Sequence, residues 1–447
     1  METAYIAGEF ETIELEKGIT FRYLPHSKWK TISIDVFCRV PIMRETVTQV
    51  ALIPRLMRRG TVNYPTMRDI SRYLEGLYGA VMGMDPNKVG PEQVIRFGID
   101  LPSPAFLGFG QPAGAAGDAG GVNLAKAMAF IWEVATEPYL EGGGFPEDRF
   151  DTEREEHRRD ILSLRNDRPR YAIVRIVEEI SRGSPAGLPA WGVLEDLPGL
   201  DRRKVWETWA DILSWCPVSI YAIGEGAREL GEILQRVRLS FPRPRREELV
   251  AVSQPPAPKP PDGVIEVEES MPGEQTQVCQ AFHIGITENH PDLPAALVFD
   301  GILGGFPHSK LFVNVREKNS LAYFASSSFN SWRGMVLTSA GVDDGARNRV
   351  RDLVVEQVEA MKRGEISDEE IESTKAGLIR RLRSESDSQA ALVRRRLVRE
   401  VMGGVDSPEE LIGLILKVTK DDVVSVAQRA QLKAVYMLRA KDDGRGG

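Results

Sequence analysis

The chain is organised around residues 51–61, which read ALIPRLMRRGT. Their apolar residues and the closing Gly60 predict the last part of a helix over about 46–59, directly after a strand at 31–38. Pro54 lies inside this predicted helix, where proline removes one backbone hydrogen bond. We therefore expect the helix to bend near Pro54 or to begin late.

The same order of predicted elements occurs twice along the chain, with a period of roughly half its length. Three elements correspond between the copies: strands 31–40 and 276–286, helices 46–59 and 291–303, and the terminal helix–strand pairs 201–223 and 420–438. Seven prolines between residues 241 and 262 are incompatible with a helix or a central strand. The sequence thus predicts an α+β protein with homologous domains at 1–240 and 264–447, joined by a proline-rich linker at 241–263.

Composition narrows the class of protein. The chain has 447 residues, 42% of them hydrophobic and 27% charged, as in ordinary globular domains. Its net charge of −8 is unlike the basic balance of nucleic-acid binders, so we expect no nucleic-acid partner. No apolar run is long enough to span a bilayer and no signal-peptide pattern begins the chain, so we expect a cytoplasmic protein with no membrane partner. Cys38, Cys216 and Cys279 are too far apart for a disulfide framework.

No complete metal or nucleophile motif occurs in the sequence. The five histidines include no pair at the i, i+4 spacing that places two imidazoles on one helix face, so HExxH and HxxEH are both absent. The glycine-rich residues 108–121 lack the spacing of a phosphate loop and predict a flexible surface loop. One alternative interpretation is an unorthodox metal site, formed by Glu156, His157 and Asp160 on a predicted helix.

Four stretches of the chain resemble the M16 family of metallopeptidases, which includes insulinase, pitrilysin and the mitochondrial processing peptidase. Residues 51–61 are similar to its HxxEHxxxxGT motif, and residues 150–169 to the helix that carries its third zinc ligand. Residues 303–312 and 315–323 are similar to two later segments of the family, the second of which contains an arginine and a tyrosine. The chain looks most like the short bacterial members encoded as pairs, in which one partner lacks the metal site. The resemblance implies two homologous domains, each a mainly antiparallel sheet covered by helices.

Compared with that motif, the metal site of this chain is lost. Ala51 and Arg55 stand where the two histidines would be, Pro54 stands at the catalytic glutamate, and Asp160 falls near the third ligand. Alanine offers no lone pair, and a guanidinium is a permanent cation that repels zinc. The resemblance therefore implies no metal or other cofactor in this chain and no catalysis by this chain alone.

Arg316 and Tyr323 match the arginine and tyrosine of the family, which bind peptide carbonyl groups in the cleft. The resemblance implies a substrate-binding role here, and the alternative is a buried hydrogen-bonded pair that braces a helix against a strand. The favoured function is a non-catalytic subunit that shapes the peptide cavity of a heteromeric peptidase, while a homologous HxxEH chain supplies zinc and catalysis. Peptide would add a strand to an exposed sheet edge. The alternative is a homodimeric scaffold that binds peptides or proteins without peptidase activity.

Overall fold

The computed structural model describes residues 9–106, 116–236, 258–405 and 407–441, which form two β-sheets flanked by helices. Most of the predicted linker at 241–263 lies outside these residues. The predicted loop at 108–121 is described only from Ala116, and there the prediction is wrong. A helix begins at Ala116 despite three glycines among its first six residues, because its later residues pack in a hydrophobic core.

The first sheet, within the described residues, has six strands: β1 (Glu11–Glu16), β2 (Ile19–Leu24), β3 (Thr31–Pro41), β4 (Val81–Val89), β5 (Glu92–Pro102) and β6 (Val218–Ile223). Their order across the sheet is β1-β2-β6-β3-β5-β4. Neighbours are antiparallel except for β2 and β6, which run parallel. The strand β4 therefore lies at an edge of this sheet, and it contains Pro86, a residue that edge strands tolerate.

The second sheet has five strands in the part of the chain that the structure describes: β7 (Ile265–Pro272), β8 (Thr276–His283), β9 (Ala322–Asn330), β10 (Met335–Val342) and β11 (Gln431–Lys441). Their order is β7-β11-β8-β10-β9, again with one parallel pair, β7 and β11. Without β1, the first sheet has the same order and the same parallel pair. The predicted α+β fold of two homologous, mainly antiparallel sheets is confirmed, whereas the domain boundaries at 240 and 264 stay a prediction.

The helices of the first half are α1 (Val47–Met57), α2 (Met67–Gly76), α3 (Ala116–Thr136), α4 (Glu147–Ser163), α5 (Arg168–Ile180), α6 (Arg202–Trp215) and α7 (Ala227–Arg236). Those of the second half are α8 (Leu293–Asp300), α9 (Arg347–Lys362), α10 (Asp368–Glu385), α11 (Gln389–Met402), α12 (Pro408–Lys417) and α13 (Lys420–Arg429). Two π-helical segments, Gly301–Gly305 and Phe312–Glu317, accompany α8. Among the described helices, none combines the length and the apolar character needed to cross a membrane.

The helix α1 runs through Pro54 and begins at Val47, so the expectation of a late start is wrong. Proline at position 54 removes only the amide that would donate to the carbonyl of Val50. Nine of the eleven residues of α1 are buried, and their burial outweighs this one lost bond. Gly60 then ends the segment with a φ of +159°, where a Cβ would lie 2.3 Å from the Pro65 carbonyl oxygen.

Each sheet is covered by its own helices on one face and by a helix of the other half on the opposite face. In β3, Ile34 and Val36 face a core shared with α1, whereas Phe37 on the other face packs in a cluster with α11. In β8, Val278 faces the core of the second half, whereas Cys279 packs in a cluster with α5. Helix α5 of the first half thus covers the second sheet, and helix α11 of the second half covers the first sheet. We call this the exchange of α5 and α11; because of it, neither sheet is fully covered by its own half.

Candidate functional site

The helices α1 and α4 pack side by side and bring together the positions that the motif comparison singles out. Ala51 and Pro54 lie buried on α1, whereas the Arg55 side chain reaches across to α4. Its Nη2 donates to a carboxylate oxygen of Asp160, and its Nη1 lies 3.7 Å from the Glu153 Oε2. The predicted motif positions 55 and 160 are therefore in contact, and the contact is an ion pair.

The carboxylate of Glu153 is the centre of this site, although the sequence comparison did not single it out. Its side chain is fully buried and is contacted by three guanidinium groups. The Arg59 Nε donates to Oε1, and the Arg58 Nη2 lies 3.4 Å from Oε2, beside the Arg55 contact. The i, i+3 and i+4 spacing of these arginines puts them on one helix face, but that spacing does not identify their acidic partner.

His157 takes no part in a metal site here. Its Nε2 lies 2.7 Å from the Trp191 carbonyl oxygen, which only accepts, so this nitrogen carries the proton. Burial lowers the pKa of His157, and the nearby Arg55 cation lowers it further, so the imidazole is neutral near pH 7. The other nitrogen, Nδ1, is buried without a hydrogen-bond partner among the described residues.

The donors of the α1–α4 site do not fit a zinc ion. Zinc sites in proteins use three or four cysteine, histidine or carboxylate ligands, whereas Arg55 already occupies Asp160 and Glu153 is enclosed by arginines. Over the described ranges, no group of three or more His, Cys, Asp or Glu side chains is placed to hold a metal ion. The alternative site of Glu156, His157 and Asp160 has no support in this geometry.

An open strand edge lies beside the site. The strand β4 packs against α1 and, in the part of the chain that is described, pairs with β5 alone. Its outer edge thus offers backbone amides and carbonyls to another strand. Val81, the first residue of this strand, and Tyr78, in the turn before it, expose 65% and 53% of their surface.

Arg316 and Tyr323 lie in the second half of the chain and are both exposed. The Arg316 Cζ lies 4.7 Å from the ring centroid of Phe312, within the second π-helical segment, and its guanidinium makes no ion pair with a described residue. Tyr323 is the second residue of β9 and exposes 57% of its surface, and its hydroxyl donates to Asp343 Oδ1 at 3.2 Å. That bond raises the pKa of Tyr323. These positions do not form the buried bracing pair that was the alternative interpretation.

Comparison with known proteins agrees with this fold and site. Residues 231–378 match the family model of the peptidase M16 inactive domain. The probable inactive metalloprotease YmfF of Bacillus subtilis (strain 168) is 28% identical over 427 residues, which cover 95% of this chain and 96% of that protein. The uncharacterized zinc protease YmxG of the same organism is 30% identical over 104 residues, which cover 23% of this chain and 25% of that protein.

Solved structures show the same architecture. A conserved protein from Enterococcus faecalis V583 has a TM-score of 0.85 and 28% identity, covering 98% of this chain and 100% of that chain. A peptidase M16 inactive domain from Pseudomonas fluorescens has a TM-score of 0.74 and 16% identity, covering 97% of this chain and 98% of that chain; at this identity the likeness concerns the fold alone. The two-sheet fold thus resembles that of M16-type proteins. The chain is an M16-like protein, and the predicted resemblance is confirmed.

Proposed function

We propose that this chain is a non-catalytic subunit of a heteromeric M16-like zinc metallopeptidase. The observation that carries the proposal is the Arg55–Asp160 ion pair, which fills the positions of the second and third zinc ligands. A homologous chain with an HxxEH motif would supply both the zinc and the general base, which Pro54 cannot replace. The complex would act in the cytoplasm.

Two findings support a division of labour between related chains. The relative that matches almost the whole of this chain is named an inactive metalloprotease. Bacillus subtilis also has a relative that is named a zinc protease, so one organism carries both kinds of chain that the proposal requires. In a paired enzyme, selection keeps the fold of the inactive chain while its metal ligands are free to change.

This chain would contribute the wall of the peptide cavity. The open edge of β4 suits an extended peptide, because main-chain hydrogen bonds hold a strand with little regard to its sequence. Arg316 is exposed and makes no ion pair with any described residue, so its guanidinium is available to a peptide carbonyl. The Tyr323 hydroxyl is held by one weak bond to Asp343, and it can donate to a substrate instead.

The experiment is a peptidase assay of the purified chain mixed with an HxxEH homologue from the same organism. The proposal expects that homologue to be encoded beside this chain and to co-purify with it. We expect no hydrolysis by this chain alone and a higher rate from the mixture than from the homologue alone. Equal rates with and without this chain would show that the proposal is wrong. If the chain then formed a homodimer that captured peptide, the scaffold alternative would replace the proposal.

A further inference from the structure

A partly buried lysine and a buried arginine meet where the two halves of the chain join. Lys88 lies on β4, and Arg333 lies in the turn between β9 and β10. The Lys88 Nζ donates to the carbonyl oxygens of Ala186 and Leu188, at 2.6 and 2.7 Å. The Arg333 Nη2 donates to the same Ala186 oxygen at 2.5 Å. The Trp332 ring lies beside both cations, with its centroid 5.3 Å from the Lys88 Nζ and 4.6 Å from the Arg333 Cζ.

Neither cation has a carboxylate partner in the described ranges of the chain. Arg333 exposes 5% of its surface, and its Nε is buried without a hydrogen-bond acceptor there. A partly buried guanidinium elsewhere in the chain has such partners: Arg39 lies 2.7 Å from the carboxylate of Glu92 and 2.8 Å from that of Glu400. Buried charges without a counter-charge are strongly destabilising, so this pair of cations requires a physical explanation.

The surroundings also weaken proton binding at both cations. Burial, with the charge of Arg333 as a second cause, lowers the pKa of Lys88 to about 7. Burial lowers the pKa of Arg333 to about 10. A negative charge held by both groups would act in the opposite direction, because it stabilises the protonated forms.

We propose that Lys88 and Arg333 form a binding site for a small oxyanion, the chemistry that inorganic phosphate and a carboxylate share. The ammonium has a third hydrogen and the guanidinium has an unbonded Nε, so the pair carries donors for two oxygens of one anion. The Nε has no accessible surface in this structure, so the anion reaches it only when the packing around Arg333 opens. Lys88 is only partly buried, which leaves an approach from solvent, whereas Arg333 forms the dry end of the site. The site is separate from the α1–α4 site and does not depend on the proposed peptidase role.

Phosphorus NMR of inorganic phosphate, titrated with the full chain near neutral pH and at constant ionic strength, tests this site. We expect saturable binding by the wild type and binding weaker by about tenfold or more in Lys88→Met and in Arg333→Met, because each loses a charge-assisted bond. Lys375→Met is the matched control. Lys375 is also buried, but it already pairs with Glu372 at 3.0 Å, so this variant should bind phosphate like the wild type.

Competition with acetate separates the two sources of the oxyanion. If acetate displaces phosphate, the site also binds carboxylates. If acetate does not displace phosphate, the site is specific for phosphate. The inference is wrong if the wild type binds neither anion saturably, or if both methionine variants bind phosphate as tightly as the wild type. A second measurement uses only the wild type. In an NMR titration of isotopically methylated lysines, phosphate should raise the pKa of Lys88. An unchanged pKa would overturn the site.

Discussion

At the scale of single residues, the α1–α4 site has an ion pair at two positions that the motif comparison assigns to metal ligands. Arg55 places a permanent cation close to where the comparison puts zinc, and the carboxylates of Asp160 and Glu153 that surround it neutralise that charge. The buried Glu153 also contacts Arg58 and Arg59, so three guanidinium groups and two carboxylates form one charge cluster between the two helices. Ion pairs thus link α1 to α4.

Removing the central carboxylate should destabilise the protein. Glu153→Ala leaves three arginines facing a buried site without their anion, and we expect a loss of about 3 kcal/mol in the free energy of unfolding, measured by urea denaturation. Asp160→Ala is the matched control, because the Asp160 side chain is 62% exposed and should matter far less. Equal losses in the two variants would contradict the central role of Glu153.

The motif positions should still be able to form a metal site. The combined substitutions Ala51→His, Pro54→Glu, Arg55→His and Asp160→Glu place two imidazoles one turn apart on α1 and a carboxylate on α4. Since Arg55 and Asp160 are in contact, we expect the folded variant to bind one zinc ion per chain in elemental analysis.

One control variant and one contradicting outcome delimit the zinc prediction. The variant that carries only Ala51→His should bind no stoichiometric zinc, because a single imidazole is too weak a site. A folded four-position variant without zinc would show that α1 and α4 do not present these residues in the geometry that the motif requires.

At the scale of elements, the two π-helical segments and β9 determine what the second half presents to solvent. Gly304 allows the first segment to approach β9, since a Cβ there would lie 2.4 Å from the backbone nitrogen of Ser327. The second segment carries Arg316 on its exposed side. Because π-helical turns cost hydrogen-bond geometry and often accompany functional sites, this arrangement fits a role of Arg316 in binding rather than in stability.

Substitutions at this surface should affect turnover and leave stability unchanged. In the mixed complex, Arg316→Ala should lower kcat/KM by about tenfold, because it removes a charge-assisted hydrogen bond to peptide. Tyr323→Phe should also reduce turnover, since it removes only the hydroxyl. Both variants should keep the wild-type unfolding midpoint, because the two substituted side chains are exposed.

Arg349→Ala is the control for this surface, since Arg349 is a half-exposed arginine on α9 that pairs with Glu356. It should leave turnover unchanged. A fall in the unfolding midpoint of Arg316→Ala comparable with that of a core truncation would instead support a bracing role.

At the scale of the whole molecule, the exchange of α5 and α11 ties the two halves together. Glu400 on α11 is held by the first sheet: Arg22 and Arg39 contact it at 2.8 Å, and the hydroxyls of Ser219 and Tyr221 donate to it at 2.7 Å. These charges and hydroxyls lower the pKa of Glu400 despite its burial. A carboxylate with four partners from the other half specifies where α11 docks.

The two halves should therefore fold only together. We expect residues 1–240 produced alone to aggregate or to stay partly unfolded, because the sheet face covered by α11 is then exposed. Co-expression with residues 264–447 should give a soluble one-to-one complex in size-exclusion chromatography. A stable, monomeric 1–240 fragment would contradict the reciprocal exchange.

The sequence by itself determined the duplicated α+β pattern, the M16 frame and the loss of the HxxEH motif, because periodicity and residue identity are local properties of the chain. It also put Arg55 and Asp160 at matching motif positions. Only the tertiary structure revealed their ion pair, the buried Glu153 between three arginines, the exchange of α5 and α11, and the meeting of Lys88 with Arg333. Each depends on side chains from distant segments whose contact and burial no local spacing specifies, since packing across the domain decides them.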